Sequence, residues 1–430
     1  MINKRHPNNL PARGPESAST MDPADPISSI APGPAAVSPP GSRSDSQGFS
    51  RRQILTIAGS ALAAGAAGWA VRGQIAEPHT AGAASGVQEP GPSQEPTGGQ
   101  PMDQISGASD GENALAKPLP ETEQRPGITF PSVPQRHAWF GALALPGMSA
   151  ANILELAQAA QNSPGTNFPD AGTVTVTIGF GPAVAHELWP QRAAKAAELP
   201  AFKRETEDLV AGGEVGLQIC AETKIAVQHM VATVLAAFGD PYVLWSQHGY
   251  RDAPTANGTT RTSSGFVDGV ANPRTAELLA AGVWSNLMHR DAHLVLRRMQ
   301  ILPQFAQLST TNQEQAIGRR QDTGAPLSGG APHDNVDLFA KTPDGHLLTP
   351  SNSHVRRAHP ANMGLPLMLR RSYSFDPEVG TGLVFVAFVG DPQTFVQTQQ
   401  RMDQADDLIK YTVTDSSGCF FVPGDLIPDN

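Results

Sequence analysis

The sequence predicts an α+β fold with a largely antiparallel sheet, and three observations predict it. Short β-branched, alternating segments are interspersed with segments of helical apolar spacing. They follow the order strand–helix–strand–strand–helix–strand. That order occurs twice after a long Pro/Gly/Ser/Ala-rich head.

In the first half, "TVTVTIGFG" from Thr173 alternates branched residues with others and reads as a strand, and "EVGLQICAE" from Glu214 reads as a second. "TKIAVQHMVATVLAAFG" from Thr223 repeats apolar residues at helical spacing (Ile225, Ala226, Met230, Val234, Ala237, Phe238) and stops at Gly239. "PYVLWSQHGY" follows as a strand. In the second half, "AHLVLRRMQIL" from Ala292 is a strand. "STTNQEQAIGRR" is a helix in which Thr310 and Gln313 have capping-box spacing. "LPLMLRRSYSF" and "GLVFVAFVGD" are strands, "PQTFVQTQQRM" a helix and "GCFFVPG" a short last strand. The doubled order describes two ferredoxin-like halves, residues 127–290 and 291–430, in a dimeric α/β-barrel-like arrangement.

The head divides in two. Residues 84–126 form a Pro/Gly-rich linker without apolar periodicity, too polar to offset the entropy of ordering it. Residues 1–83 contain "SRRQILTIAGSALAAGAAGWAV", where Arg51 and Arg52 precede a weakly apolar Ala/Gly-rich run. This is the pattern of a twin-arginine export signal with a long n-region. "TAGAASG" near Ala84 is one cleavage candidate. A membrane anchor is the competing reading, and the scarcity of Leu, Ile and Phe argues against it. Twin-arginine export carries folded proteins, so the expectation is a cofactor protein working in the periplasm or outside the cell, with the export machinery as one partner.

The formal charge of −10 and the lack of a basic run with interleaved aromatics argue against nucleic acid as a partner. Cys220 and Cys419 are the only cysteines, which excludes a disulfide scaffold and Cys-rich metal sites. They are either two buried thiols or one disulfide. P-loop, dinucleotide-binding and His-Glu-x-x-His motifs are absent from the sequence, and its one Gly-x-Ser-x-Gly match, Gly107 to Gly111, lies in the Pro/Gly-rich linker rather than between a strand and a helix. His289 and His293 have the spacing of a helical metal pair, but their stretch leads into a strand and lacks a third ligand.

Polar residues cluster in three places that a plain core would not need. Asp268 sits in "GFVDGVANP" on a loop whose glycines let backbone approach something flat or bulky. His354 and His359 flank Arg356 and Arg357 in "SHVRRAHP". Arg370 and Arg371 end an apolar strand, whose alternation sends only one of them to a given face. Taken singly, these read as a turn former, surface histidines and solvated or salt-bridged arginines. Together they supply an axial imidazole, an acid and a fixed cation, the equipment of a haem peroxidase site.

On these motifs the chain resembles the dye-decolorizing peroxidase family, especially its exported deferrochelatase/peroxidase-like members. "GITFPSVPQRHAWFGAL", "TVTIGFGPAV", "GLQICAE", "GFVDGVANP", "GRRQDTGAPLSG", "SHVRRAHP", "LMLRRSYSF" and "GCFFVPGD" run in family order. The resemblance implies one haem b per chain, with His354 as proximal iron ligand and Asp268 and Arg370 as distal acid and arginine. It implies that Gly269, Val270 and Ala271 line one haem edge and that His359, Pro360 and Ala361 contact the other side. Two departures stand out. Val270 replaces the usual Thr, and His359-Pro360-Ala361 replaces the usual Asn-Pro-Arg. The missing arginine would hold a haem propionate. Arg356, Arg357 and His359 are the candidates to replace it. His359 is also a second candidate ligand, with His354 favoured by its place in the motif.

The implied activity is reduction of hydrogen peroxide with oxidation of dyes, phenolics or other small one-electron donors. Asp268 would relay the peroxide proton, and Arg370 would keep Asp268 ionised and stabilise charge on the departing oxygen. An acidic partner for the His354 ring is expected, with Asp322, Asp334 and Asp337 in the preceding segment as candidates. Bulky donors would deliver electrons through surface aromatics drawn from Trp139, Trp189, Trp245, Trp284, Tyr242, Tyr250, Tyr373 and Tyr411. The alternatives are a deferrochelatase releasing iron from haem and a non-catalytic haem-binding or delivery protein. Homo-oligomerisation stays open.

Overall fold

The computed structural model describes residues 120–429 apart from 164, 167, 255–258, 361 and 362. The segment read as an export signal and most of the linker lie outside the described residues. Among the described residues no helix is long and apolar enough to cross a membrane.

The first half contains β1 (His137–Ala144), α1 (Ala150–Gln161), β2 (Thr175–Phe180), α2 (Pro182–Leu188), β3 (Glu205–Ala211), β4 (Val215–Ala221), α3 (Lys224–Ala237) and β5 (Tyr242–Tyr250). A small ribbon, β6 (Thr260–Arg261) with β7 (Val267–Asp268), and α4 (Ala276–Gly282) follow. The second half contains β8 (Ala292–Ile301), α5 (Pro303–Ala306), α6 (Thr310–Ile317), α7 (His354–Arg357), β9 (Leu369–Arg370), β10 (Tyr373–Phe375), β11 (Thr381–Val389), α8 (Pro392–Ala405) and β12 (Thr412–Val422).

The strand order is β5–β1–β4–β2 in the first half and β12–β8–β11–β9/β10 in the second, the same ferredoxin-like order in both. The halves join through β2–β12 and β5–β10, and β10 also pairs with β11, so the path returns on itself as a closed antiparallel barrel. Closure removes the open sheet edges that would otherwise invite pairing with another chain. Among the described strands only β3 joins in parallel, along β12.

Period-two alternation sorts side chains between the two faces of this sheet. Phe140, Leu294, Leu296, Val386 and Phe420 fill the barrel. Trp139, Leu143, Ile178, Leu217 and Ile219 face outward and are covered by α1 and α3 through Ile153, Ala157, Val227 and Val234. On the second half, Val295, Ala387 and Cys419 face outward against Phe395 and Val396 of α8. Both cysteines are free and buried.

Several expectations need local correction. Ile225 is 68 % exposed, because α3 buries its Ala226/Val227/Met230/Val234 stripe instead. The cap of α6 is Ser309, whose side chain accepts from Asn312 N, one residue before the expected box. The strand over "LPLMLRRSYSF" is broken at Arg371 and Ser372 into β9 and β10, although Arg371 N still donates to Val386 O across the gap. The last strand spans 11 residues, because a central position beside β8 requires length. Helix α1, its Ser149 cap and β3 had not been read from the sequence at all.

Candidate functional site

One cavity opens on the outward face of the second half. Its floor is β8 and β11, its sides are α8 and the 302–368 connection, and its rim is the β7 loop. Asp268, Val270, Ala271, His354, His359, Pro360 and Arg370 all line it. Thus the sequence candidates converge on one place. Gly269 does not form wall; it supplies the turn between Asp268 and Val270 with a φ of 85° that only glycine adopts without strain. Ala361 lies outside the described residues.

Asp268 and Arg370 are brought together from two distant segments. Asp268 ends β7, where it pairs with Thr260 of β6. The amide of Asn272 then docks the loop on β9: its Nδ2 donates to Arg370 O at 2.8 Å and its Oδ1 accepts from Arg370 N at 3.0 Å. This places Arg370 Nη2 3.3 Å from Asp268 Oδ1. Burial pushes the Asp268 carboxyl up, but the Arg370 charge and the Gly269 N–H outweigh it, so the group is held below its ordinary value of 3.8. Arg371 leaves the same strand on the other side. It is buried rather than solvated, and its Nη2 donates to Pro131 O.

His354 opens α7, and its Nδ1 lies 2.8 Å from Asp406 Oδ2. Asp406 follows α8 and is fully buried, and its other oxygen accepts from Leu408 N and Ile409 N. A carboxylate so held takes the Nδ1–H of the neutral ring, leaving Nε2 as the lone-pair nitrogen. Burial lowers the imidazole pKa, but the Asp406 charge and hydrogen bond outweigh that and raise it above 6.5. The expected partners do other work. Asp322 accepts from Thr323 N, Asp334 from Ala331 N, and Asp337 from Phe339 N and Ala340 N, each stabilising a turn. Asp406 was missed because it is 52 residues beyond His354, and an Asp after a helix carries no local mark of that role.

His289 and His293 do not form a metal pair. His289 Nδ1 bonds Asp425, and His293 is buried in β8 beside Phe421. No cluster of three or more potential metal-ligating His, Cys, Asp or Glu side chains occurs among the described residues. Trp139, Trp189, Trp245, Trp284 and Tyr373 are core residues, which removes them from the surface set, whereas Tyr242 is exposed and Tyr250 and Tyr411 are half-buried.

The walls suit a flat apolar group bearing a metal and acidic substituents. Phe266, Ile317, Val355, Leu367, Leu383 and Met402 are apolar, one imidazole has its second nitrogen for ligation, and Arg297, Arg319 and Arg370 are cations. The fold and pocket therefore define an α+β-barrel protein with a cavity suited to a flat, acid-bearing cofactor, lined by the Asp406-bonded His354 and by a carboxylate–guanidinium pair.

The comparisons make this specific. Residues 148–251 match the family model described as Dyp-type peroxidase, N-terminal, and residues 259–426 match Dyp-type peroxidase, C-terminal. The chain belongs to the Dyp-type peroxidase family. It is 35% identical over 284 residues to a dye-decolorizing peroxidase of Thermobifida fusca (59% of this chain, 65% of that protein). It is 32% identical over 286 residues to a deferrochelatase of Yersinia pestis (60% of this chain, 65% of that protein). The chain thus spans just under two thirds of the length of these curated relatives. Among solved structures it resembles a DyP-type peroxidase from Cellulomonas bogoriensis (29% identity, TM-score 0.61, 69% of this chain and 91% of that one). It also resembles an oxyferrous complex of DtpA from Streptomyces lividans (28% identity, TM-score 0.63, 74% and 96%).

Proposed function

We propose that the chain is a haem peroxidase that reduces hydrogen peroxide at the expense of small one-electron donors such as dyes or phenolics. The observation that carries this reading is the presence in one cavity of two differently prepared groups: an imidazole fixed by Asp406, and a carboxylate kept ionised by Arg370. The first suits a metal ligand and the second a proton relay.

On this reading His354 Nε2 would ligate the iron of haem b, with the Asp406 hydrogen bond orienting the ring and raising its electron donation. Phe266, Val270, Leu383 and Met402 line the cavity and would keep water from the bound macrocycle. When bound, haem supplies the redox centre for peroxide reduction and for the later oxidation of the donor. Asp268 takes a proton from one peroxide oxygen and returns it to the other. Arg370 favours the ionised carboxylate before the transfer and the developing negative charge during it. Val270, where the family usually has Thr, removes a hydroxyl from that rim.

The test is the absorption spectrum of the purified full chain, produced with ample haem supply, before and after peroxide, followed by turnover of an anthraquinone dye at acidic pH. A colourless protein without a Soret band rejects the proposal. The deferrochelatase relatives support a second reading, release of iron from haem. Incubation with haem and assay for free iron and intact protoporphyrin decides it. The Arg51–Arg52 segment supports export by the twin-arginine route, and an Arg51→Lys/Arg52→Lys precursor retained in the cytoplasm is the expected result.

A further inference from the structure

We propose that Arg319 holds a carboxylate of the bound macrocycle, in place of the motif arginine for which this chain has Ala361. The inference rests on the haem reading above and concerns this chain's own departure from the family pattern.

The two arginines nearest the missing position do not line the cavity. Arg356 donates to Thr349 O, Pro350 O and Leu338 O, and Arg357 donates to Arg401 O and Gln404 Oε1. Three arginines do line it: Arg297, Arg319 and Arg370. Arg297 is paired with Glu205 at 2.8 Å and Arg370 with Asp268 at 3.3 Å. Arg319 has no carboxylate within ion-pair distance among the described residues; its acceptors are the carbonyls of Gly324, Pro332 and Asp334.

Those carbonyls fix the guanidinium without neutralising it. Nη1 gives both its hydrogens, to Gly324 O at 2.9 Å and Pro332 O at 3.3 Å, and Nη2 gives one, to Asp334 O at 3.0 Å. Of five N–H donors, this leaves Nε–H and one Nη2–H without a protein acceptor among the described residues. Nε and Nη2 together form one edge of the guanidinium, the kind of edge that a carboxylate engages in two parallel bonds. Gly318 sets the approach. It ends α6 at a φ of 97°, and a Cβ there would lie 2.3 Å from Val355 Cγ2, so only glycine lets Arg319 leave the helix this close to α7. Arg319 is 7 % exposed. Burial lowers its pKa to about 10, the Arg370 charge adding to this and the Asp334 charge opposing it, and the group stays a cation at neutral pH. A buried cation whose nearest opposite charge, Asp334, lies beyond ion-pair distance is costly, and a ligand carboxylate in direct contact would offset that cost.

The experiment titrates the full-length haem-free chain with protohaem and with protohaem dimethyl ester, which lacks both carboxylates. Dissociation constants come from Soret absorbance and tryptophan quenching, and the thermal unfolding of each haem-free variant reports folding. The wild type is expected to bind the free acid about tenfold or more tighter than the ester. Arg319→Gln is expected to erase most of that preference while leaving ester affinity within about threefold. Arg319→Lys, which keeps the charge but not the fork, is expected to lose about threefold or more of the preference, and it carries the test should the Gln variant not fold. A wild type indifferent to esterification, or a preference undiminished in the variants, overturns the proposal and leaves the haem reading standing. Failure of the wild type to bind either form rejects the haem reading and this inference together.

Discussion

The two halves share one strand order and differ in what covers the outward face of the sheet. In the first half, the 145–174 connection folds as α1, which packs with α3 onto Leu143, Ile178, Leu217 and Ile219, and the face is closed. In the second half, the corresponding connection runs from 302 to 368 and contributes only short helices, α5, α6 and α7. It stands away from β8 and β11, and Arg297, Met299 and Phe385 border a cavity where the first half has core. One topology thus gives a scaffold and a site, and the longer connection makes the difference. Precision comes from the ties back to the rigid parts: His354 to Asp406 after α8, and the Asp268 loop through Asn272 to β9.

The comparison breaks most sharply at His354. His354→Ala should abolish stable haem binding, read as loss of the Soret band after reconstitution; retained haem with normal affinity would remove the ligand assignment. Asp268→Asn should leave haem in place and slow the reaction with peroxide about 10²–10⁴-fold in stopped-flow absorbance. An unchanged rate would take the proton relay away from Asp268.

The scaffold–site contrast is sharpened by a pair of leucines. Leu217→Ala, in the closed face, should cost about 2–5 kcal/mol in denaturant unfolding of the haem-free chain, whereas Leu383→Ala, on the cavity wall, should cost about 1 kcal/mol. Equal costs would mean that the second face is packed as tightly as the first. Asp406→Asn should weaken haem binding about 10–100-fold, because the ring loses its fixed acceptor; a wild-type affinity would make the contact merely structural. The smallest effect is a shift in pH dependence. The Asp268 carboxyl is depressed below 3.8, so it stays ionised down through that value, and the acid limb of the peroxide reaction lies lower still. In Arg370→Leu the chief depressing charge is gone and burial raises the carboxyl, so the limb should move to higher pH.

Much of the fold is written in local pattern. The alternation in "TVTVTIGFG" and the helical spacing after Thr223 correspond to β2 and α3, because hydrogen bonding and burial there act over a few residues. The misreadings are also local. Ile225 looked like core because the Ala-rich α3 offers two adjacent apolar stripes, and only the sheet beneath selects one. The Arg370–Arg371 pair was read as divided between two faces, and alternation does divide it. That the second face is the barrel interior, where Arg371 is buried, required the closed sheet.

For the site, residue types along the chain pointed to an acid, a His pair and an Arg pair, and it was the resemblance to the family's motifs that singled out Asp268, His354 and Arg370 from neighbours such as His359 and Arg371. The partners that prepare those groups were not legible. Asp406 stands in no motif, and Asn272 and Arg319 stand inside quoted motifs without any mark of these roles; for Asp406 and Asn272 the role arises only when segments 52 or 98 residues apart are brought within hydrogen-bond reach. The sequence by itself determined the doubled fold and the reactive residue types, because periodicity and side-chain chemistry are properties of neighbours along the chain. Which acid holds the imidazole, which amide docks the carboxylate loop and which cavity arginine stands outside any close ion pair were decided by the tertiary structure, because electrostatics and hydrogen bonds depend on distance in space.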